Sequence, residues 1–128
     1  MNLLVDTHAF LWWITDDPRL SEPARALIGD SQNHLYWSAA SSWEVAIKYK
    51  LGRLPLPDVP ERFLSEELES NRVQPLPITD IHAFHAGQLP RHHNDPFDRM
   101  LIAQARTEFL ILLSRDSEFH LYDVAVKW

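Results

Sequence analysis

The chain reads as an α/β domain with a mostly parallel central sheet of about four to five strands and helices on both faces. Three observations point to it. Short apolar runs alternate with amphipathic stretches, the runs lack the strict in-and-out alternation of a half-exposed strand, and two of them are followed within three residues by aspartates, Asp6 and Asp116. In parallel sheets the crevice beyond the carboxyl ends of the strands is where ligands bind, so both acids belong to one edge.

The elements follow in order. Leu3-Leu4-Val5 is a buried strand, and Ala9, Phe10, Trp12 and Trp13 belong to a helix closed by Asp16-Asp17-Pro18. Ser21 caps a second helix with Pro23 in its first turn, Ala24, Leu27 and Ile28 mark its buried stripe, and Gly29 ends it. Leu35-Tyr36-Trp37 is the next strand, followed by a helix from about Ser41 to Lys50 that stops at Gly52. Proline has no amide hydrogen and clashes with the preceding turn, so Leu54 to Pro60 is a connector. Phe63, Leu64 and Leu68 give the next helix its apolar face as far as Asn71, and Val73 to Ile78, with two prolines, suits an edge strand. Thr79 caps a helix running to Leu89, and Pro90 to Asn94 is a loop. Phe97 to Glu108 is helical, Phe109 to Leu113 is the most apolar strand, and Val124-Ala125-Val126 can add a last one. No repeat or low-complexity segment interrupts residues 1–128, which are expected to form one domain.

Composition narrows the class. With 128 residues, 45% of them hydrophobic, the chain can bury roughly two-thirds of its unfolded surface, which excludes intrinsic disorder and a disulfide-dependent miniprotein. It has no cysteine, hence no disulfide, no thiolate metal site and no cysteine nucleophile, in keeping with a cytoplasmic protein. No run approaches the roughly 20 apolar residues of a membrane helix, and Asp6 interrupts the first apolar run too early for a signal-peptide core. Twelve Lys and Arg against 18 Asp and Glu give a formal charge of −6, so any nucleic-acid role must rest on a local site rather than a broad basic surface.

Four acids stand out, each with a plain structural alternative. Asp6 can simply cap the helix after the first strand; held rigidly at a strand end, it is also a hard oxygen ligand for a divalent cation. Thr7 and His8 could then support it from behind. Glu44 closes a capping box with Ser41 and can pair with Lys48 four residues on, yet Trp43, Ala46 and Ile47 put this helix start against the core. Asp98 lies in a first turn, where the helix dipole favours an anion, but Leu101 and Ile102 set it beside an apolar stripe where a carboxylate needs a partner. Asp116 can make an Asx-turn or an ion pair. As a set, like charges gathered at one sheet edge must be offset by protonation or by cations. Asp95 before Pro96 is read as a helix cap. Arg99 and Arg115 could hold phosphate or make ion pairs, and His92 and His93 are read as surface loop histidines. Trp12, Trp13, Trp37 and Trp43 sit among apolar neighbours, favouring core or dimer packing over base stacking.

These segments carry a resemblance. Leu4-Val5-Asp6-Thr7-His8, Ser38-Ala39-Ala40-Ser41-Ser42-Trp43-Glu44, Asp95-Pro96-Phe97-Asp98-Arg99-Met100-Leu101-Ile102-Ala103-Gln104-Ala105 and Ser114-Arg115-Asp116 resemble, in order and across nearly the whole chain, the PIN-domain ribonucleases, specifically the VapC toxins of toxin–antitoxin pairs. The resemblance implies a PIN-like fold and an endoribonuclease that needs Mg²⁺, with Mn²⁺ plausible, cuts RNA such as tRNA or rRNA, and so inhibits translation. It sets Asp6, Glu44, Asp98 and Asp116 at the family's catalytic, metal-binding acids. Asp95 is an extra acid of this toxin subgroup, and Ser114 stands where the family often has threonine or serine. A homodimer and a cognate VapB-like antitoxin are also implied. Two other classes share some of these features. An aspartyl-nucleophile phosphohydrolase wants a second aspartate two positions after the first, where this chain has His8. A non-catalytic binding module would use the same acids only as caps.

Overall fold

The computed structural model describes residues 1–128 and contains one five-stranded, wholly parallel sheet. Strand β1 (Asn2–Val5) leads into α1 (Thr7–Ile14) and α2 (Glu22–Gly29); β2 (His34–Ser38) leads into α3 (Ala39–Lys50) and α4 (Pro60–Ser70). Then come β3 (Val73–Leu76), α5 (Asp80–Gln88), α6 (Pro96–Thr107), β4 (Ile111–Leu113), a 3₁₀ turn at Ser117–Leu121 and β5 (Val126–Lys127). The strand order is β3-β2-β1-β4-β5, with β3 at an edge where Pro75 is tolerated. No helix of the chain is long and apolar enough to cross a membrane.

The period-2 geometry of β1 explains its unbroken apolar run, because each side chain feeds one of two cores. Leu3 and Val5 join Phe10, Ala24, Ile28, Trp37, Val45, Leu64, Leu68 and Leu113 on one face, so α1, α2, α3 and α4 all contribute there. Leu4 joins Leu112, Leu101, Ile102, Ala105, Leu89 and Phe119 on the other, beneath α6. Register fixes which residues meet at the carboxyl edge. Val5 pairs with Leu113, so the next residues along, Asp6 and Ser114, leave the sheet side by side.

Two sequence expectations are corrected. The strand expected over Phe109 to Leu113 contracts to β4, because α6 ends in a Schellman turn in which the Leu110 N–H reaches the Ala105 carbonyl at 2.8 Å. Phe109 takes the left-handed position of that turn (φ 57°) and is 89% exposed. The helix expected to begin at Ser41 begins at Ala39, with no intervening loop after β2. The Ser38 hydroxyl caps it by accepting the Ala40 N–H at 3.0 Å, and the capping box expected of Ser41 and Glu44 does not form.

Candidate active site at the carboxyl edge of the sheet

The carboxyl ends of the strands open into a cleft of about 570 Å³ lined by Asp6, Glu44, Asp98 and Asp116, together with Asp95, and by Trp12, Arg19, Lys48 and Arg115. All four acids singled out in the sequence thus reach one space, carried by four different parts of the fold. Asp6 occupies the cap position of α1 with extended backbone, yet its side chain makes no capping bond. Instead the Ser114 hydroxyl donates to Asp6 Oδ2 at 2.7 Å, a contact spanning 108 residues of sequence. Because Ser38 caps α3, Ser41 and Glu44 are freed to meet α1. The buried Thr7 hydroxyl lies 2.7 Å from Ser41 Oγ and 2.8 Å from Glu44 Oε1, so it can accept from the serine while donating to the carboxylate. Lys48 Nζ binds the other oxygen, Glu44 Oε2, at 2.7 Å, as the four-residue spacing anticipates. Asp116 does form the Asx-type cap, accepting the Glu118 N–H on Oδ1 at 2.9 Å, and makes no ion pair with an arginine.

Asp95 is the helix cap its sequence context suggests, accepting the N–H groups of Phe97 and Asp98 at 2.9 and 3.1 Å. It also faces the cleft and adds negative charge beside Asp98. Burial, then the charges of Asp95, Asp6, Asp116 and Glu44, push the Asp98 carboxyl up to about 8. Asp6 is also raised, chiefly by burial and in part by Glu44, against the opposing pull of the Ser114 hydroxyl and of His8. Asp98 therefore resists ionising at neutral pH unless positive charge enters the cleft, and Asp6 is shifted in the same direction.

Two histidine and arginine expectations change. His92 remains on the surface, edge-on to Tyr122. His93 does not: it is partly buried, its Nδ1 lies 2.7 Å from the Tyr122 hydroxyl and its Nε2 lies 3.3 Å from Asp98 Oδ2, so it backs an acid of the cleft. Arg99 makes no ion pair and does not enter the cleft. Its Nη1 donates to the Pro90 carbonyl at 2.8 Å and its Nη2 to those of Ala86 and Leu89 at 3.1 and 3.0 Å, while the His93 carbonyl and the Tyr122 hydroxyl lie 3.4 and 3.3 Å from Nη1. Among the tryptophans, Trp37 is core, but Trp43 is 63% exposed with its ring edge-on to Phe97, and Trp12 lines the cleft.

Comparison with known proteins gives this arrangement a family. The model of the PIN domain matches residues 3–125. The chain belongs to the PIN domain family. Over 72 residues it is 36% identical to Ribonuclease VapC16 of Mycobacterium tuberculosis (strain ATCC 25618 / H37Rv), a match covering 53% of this chain; the chain spans about half the length of that relative, 51% of it. Its fold is similar to that of VapBC2 from Rickettsia felis bound to a DNA fragment from their promoter (TM-score 0.72, 15% identity, 99% of this chain and 98% of that one). The fold is also similar to DNA-bound VapBC from Salmonella typhimurium (TM-score 0.70, 18% identity, 99% and 97%).

In this PIN domain the donor chemistry at the cleft fits a hard divalent cation: carboxylate oxygens backed by hydroxyls, no sulfur, and an excess of negative charge that burial makes costly. No three acids or histidines stand gathered as a finished ligand cage. What sequence reading underrates is the supporting layer, namely the Thr7 hydroxyl on Glu44, itself backed by that of Ser41, and the pair His93 and Tyr122 behind Asp98. Nothing in local spacing links residues 7 and 41, or 93 and 122; only the sheet order does.

Proposed function

We propose that residues 1–128 form a single-domain endoribonuclease dependent on a divalent cation, Mg²⁺ with Mn²⁺ as an alternative, and that it is the toxin of a toxin–antitoxin pair. The observation that carries this reading is the meeting of Asp6, Glu44, Asp98 and Asp116 in one cleft, where burial and mutual repulsion leave two carboxyls short of positive charge. Family membership and the likeness to Ribonuclease VapC16 support RNA as substrate, and the likeness to VapBC complexes supports a cognate VapB-like antitoxin as partner. RNA such as tRNA or rRNA would be cut and translation inhibited, which puts its work in the cytoplasm. A homodimer belongs to the same reading, and Ile81 and Phe84, both exposed on α5, offer an unpartnered apolar face for it.

The four acids would hold the cation. When bound, it supplies Lewis acidity toward the phosphate oxygens and a water of lowered pKa. The chain's own residues do the rest. Ser114 and Thr7 orient Asp6 and Glu44 by donating hydroxyl hydrogens, which fixes their oxygens at the strand ends. His93 steadies Asp98 from the opposite side, itself held by Tyr122. In this reading water is the nucleophile and no protein side chain is consumed: its oxygen bonds to phosphorus, the P–O bond of the ribose leaving group breaks, and the proton that water loses is balanced by the one the departing oxygen takes up. Purified protein incubated with total RNA and Mg²⁺ is expected to cut it, and excess EDTA is expected to stop the cutting. Cleavage that continues undiminished in EDTA refutes the metal-dependent mechanism.

A further inference from the structure

The cleft presents a problem for a polyanionic substrate. Five carboxylates line it against three permanent cations, Arg19, Lys48 and Arg115, and these cations are not equivalent. Lys48 is committed to Glu44 at 2.7 Å. Arg19 is held in a two-point contact by Asp17, with Nε 3.1 Å from Oδ1 and Nη2 2.8 Å from Oδ2. Arg115 has neither an ion pair nor a side-chain hydrogen bond, although it directly precedes Asp116 and lies exposed at the mouth. It is nevertheless not loose. Its guanidinium carbon lies 4.9 Å from the centroid of the Trp12 ring, the same distance as that of Arg19. Trp12 is in turn held edge-on by Trp128, with ring centroids 6.0 Å apart.

A planar cation stacked on an aromatic ring keeps its in-plane N–H donors free, and the stacking removes part of the rotamer entropy that an exposed arginine would lose on binding. Such a group is built to accept a phosphate in two-point geometry. We propose that Arg115, braced on Trp12, is the anchor for a phosphate of the RNA strand adjacent to the one cut, so that the strand enters the acid cleft from the α1 side. This inference rests on the nuclease reading and adds to it the direction of the strand and the residue that binds it. Trp12 is the brace in this arrangement and not a platform for a base.

The test compares Arg115→Ala, Arg115→Lys and Trp12→Leu with the parent protein on a short single-stranded RNA, following cleavage kinetics and thermal midpoint. In parallel, binding of the same RNA, fluorescently labelled, is titrated against salt in an Asp6→Asn background so that the strand survives. Arg115→Ala is expected to raise KM about tenfold with kcat nearly unchanged. It is also expected to lower the slope of log affinity against log salt by about 0.7 to 1, as loss of a single phosphate contact requires. Arg115→Lys keeps the slope and recovers part of KM, and Trp12→Leu raises KM about threefold at unchanged slope. The thermal midpoint of Arg115→Ala should stay within a few degrees of the parent's, because the side chain has no hydrogen bond or ion pair and only its contact with the Trp12 ring is lost. An Arg115→Ala variant with parental KM and salt slope overturns the anchor while leaving the nuclease reading intact, as does a loss confined to kcat or one tracking a lowered midpoint. A parent protein that neither binds nor cuts RNA overturns both.

Discussion

Two polar clusters built on neighbouring residues of α6, Asp98 and Arg99, meet opposite electrostatic fates. In the α5–α6 loop region, the half-buried Arg99 guanidinium is ringed by neutral oxygens, with close bonds to the carbonyls of Ala86, Leu89 and Pro90, and it makes no ion pair. At the carboxyl edge of the sheet, five carboxylates crowd a cleft with one uncommitted cation, and Asp98 is driven up to about 8. The first cluster is complete within the chain; the second is complete only when charge arrives from outside. A fold tolerates an unbalanced group at the site where a ligand will balance it, and satisfies its polar atoms elsewhere.

Three experiments break or sharpen that contrast. The largest effect is expected from Asp6→Asn, which removes a charge but almost no volume: RNA cleavage should fall on the order of 10³-fold while thermal stability without added cation does not drop. Full activity in this variant would show that the cleft's charge is not used. Next, Arg99→Ala leaves several carbonyls without a donor and should cost about 2–4 kcal/mol in urea unfolding, with Arg99→Lys recovering less than half because an ammonium cannot span the same fork. A cost under about 0.5 kcal/mol would mean that the clamp is solvated rather than structural. The smallest effect concerns pH. The Asp98 carboxyl is raised from 3.8 to about 8 on folding, so the unfolded chain releases this proton at lower pH than the folded one. Its contribution to stability is whole below about pH 4 and is lost as pH climbs toward 8. Without divalent cations the thermal midpoint of the parent should therefore decline across that window more than that of Asp98→Asn, and added Mg²⁺ should shrink the difference. Parallel curves for parent and variant would contradict the raised carboxyl.

Much of this was legible in the sequence, for identifiable reasons. Leu3-Leu4-Val5 announces a doubly buried strand because neither face of a parallel sheet meets water, and Ser21 with Pro23, Thr79, and Asp95 with Pro96 mark three helix starts by local chemistry alone. Asp6, Asp98 and Asp116 were legible because each follows a strand or opens a helical turn, whereas Glu44 was read from a helix start that lies two residues earlier in the structure. Boundaries failed where one local signal masked another. Ser41 and Glu44 form a persuasive capping box, but Ser38 lies closer to the strand end and caps first. Phe109 looks like strand because it is aromatic, yet the chain needs a left-handed residue there to turn out of α6. His93 looked like a surface residue because its contacts, Tyr122 at 29 positions and the aspartate five positions on, involve a segment that folds back late in the chain. Contacts between distant segments have no periodicity to betray them.

The bond between Ser114 and Asp6 has a consequence for synthesis. Asp6 is synthesised 108 residues ahead of its partner hydroxyl on Ser114, and Asp116 follows two residues after that. Since β4 must slot in beside β1 to bring them together, an unfinished polypeptide holds the pieces of the centre but not the centre itself.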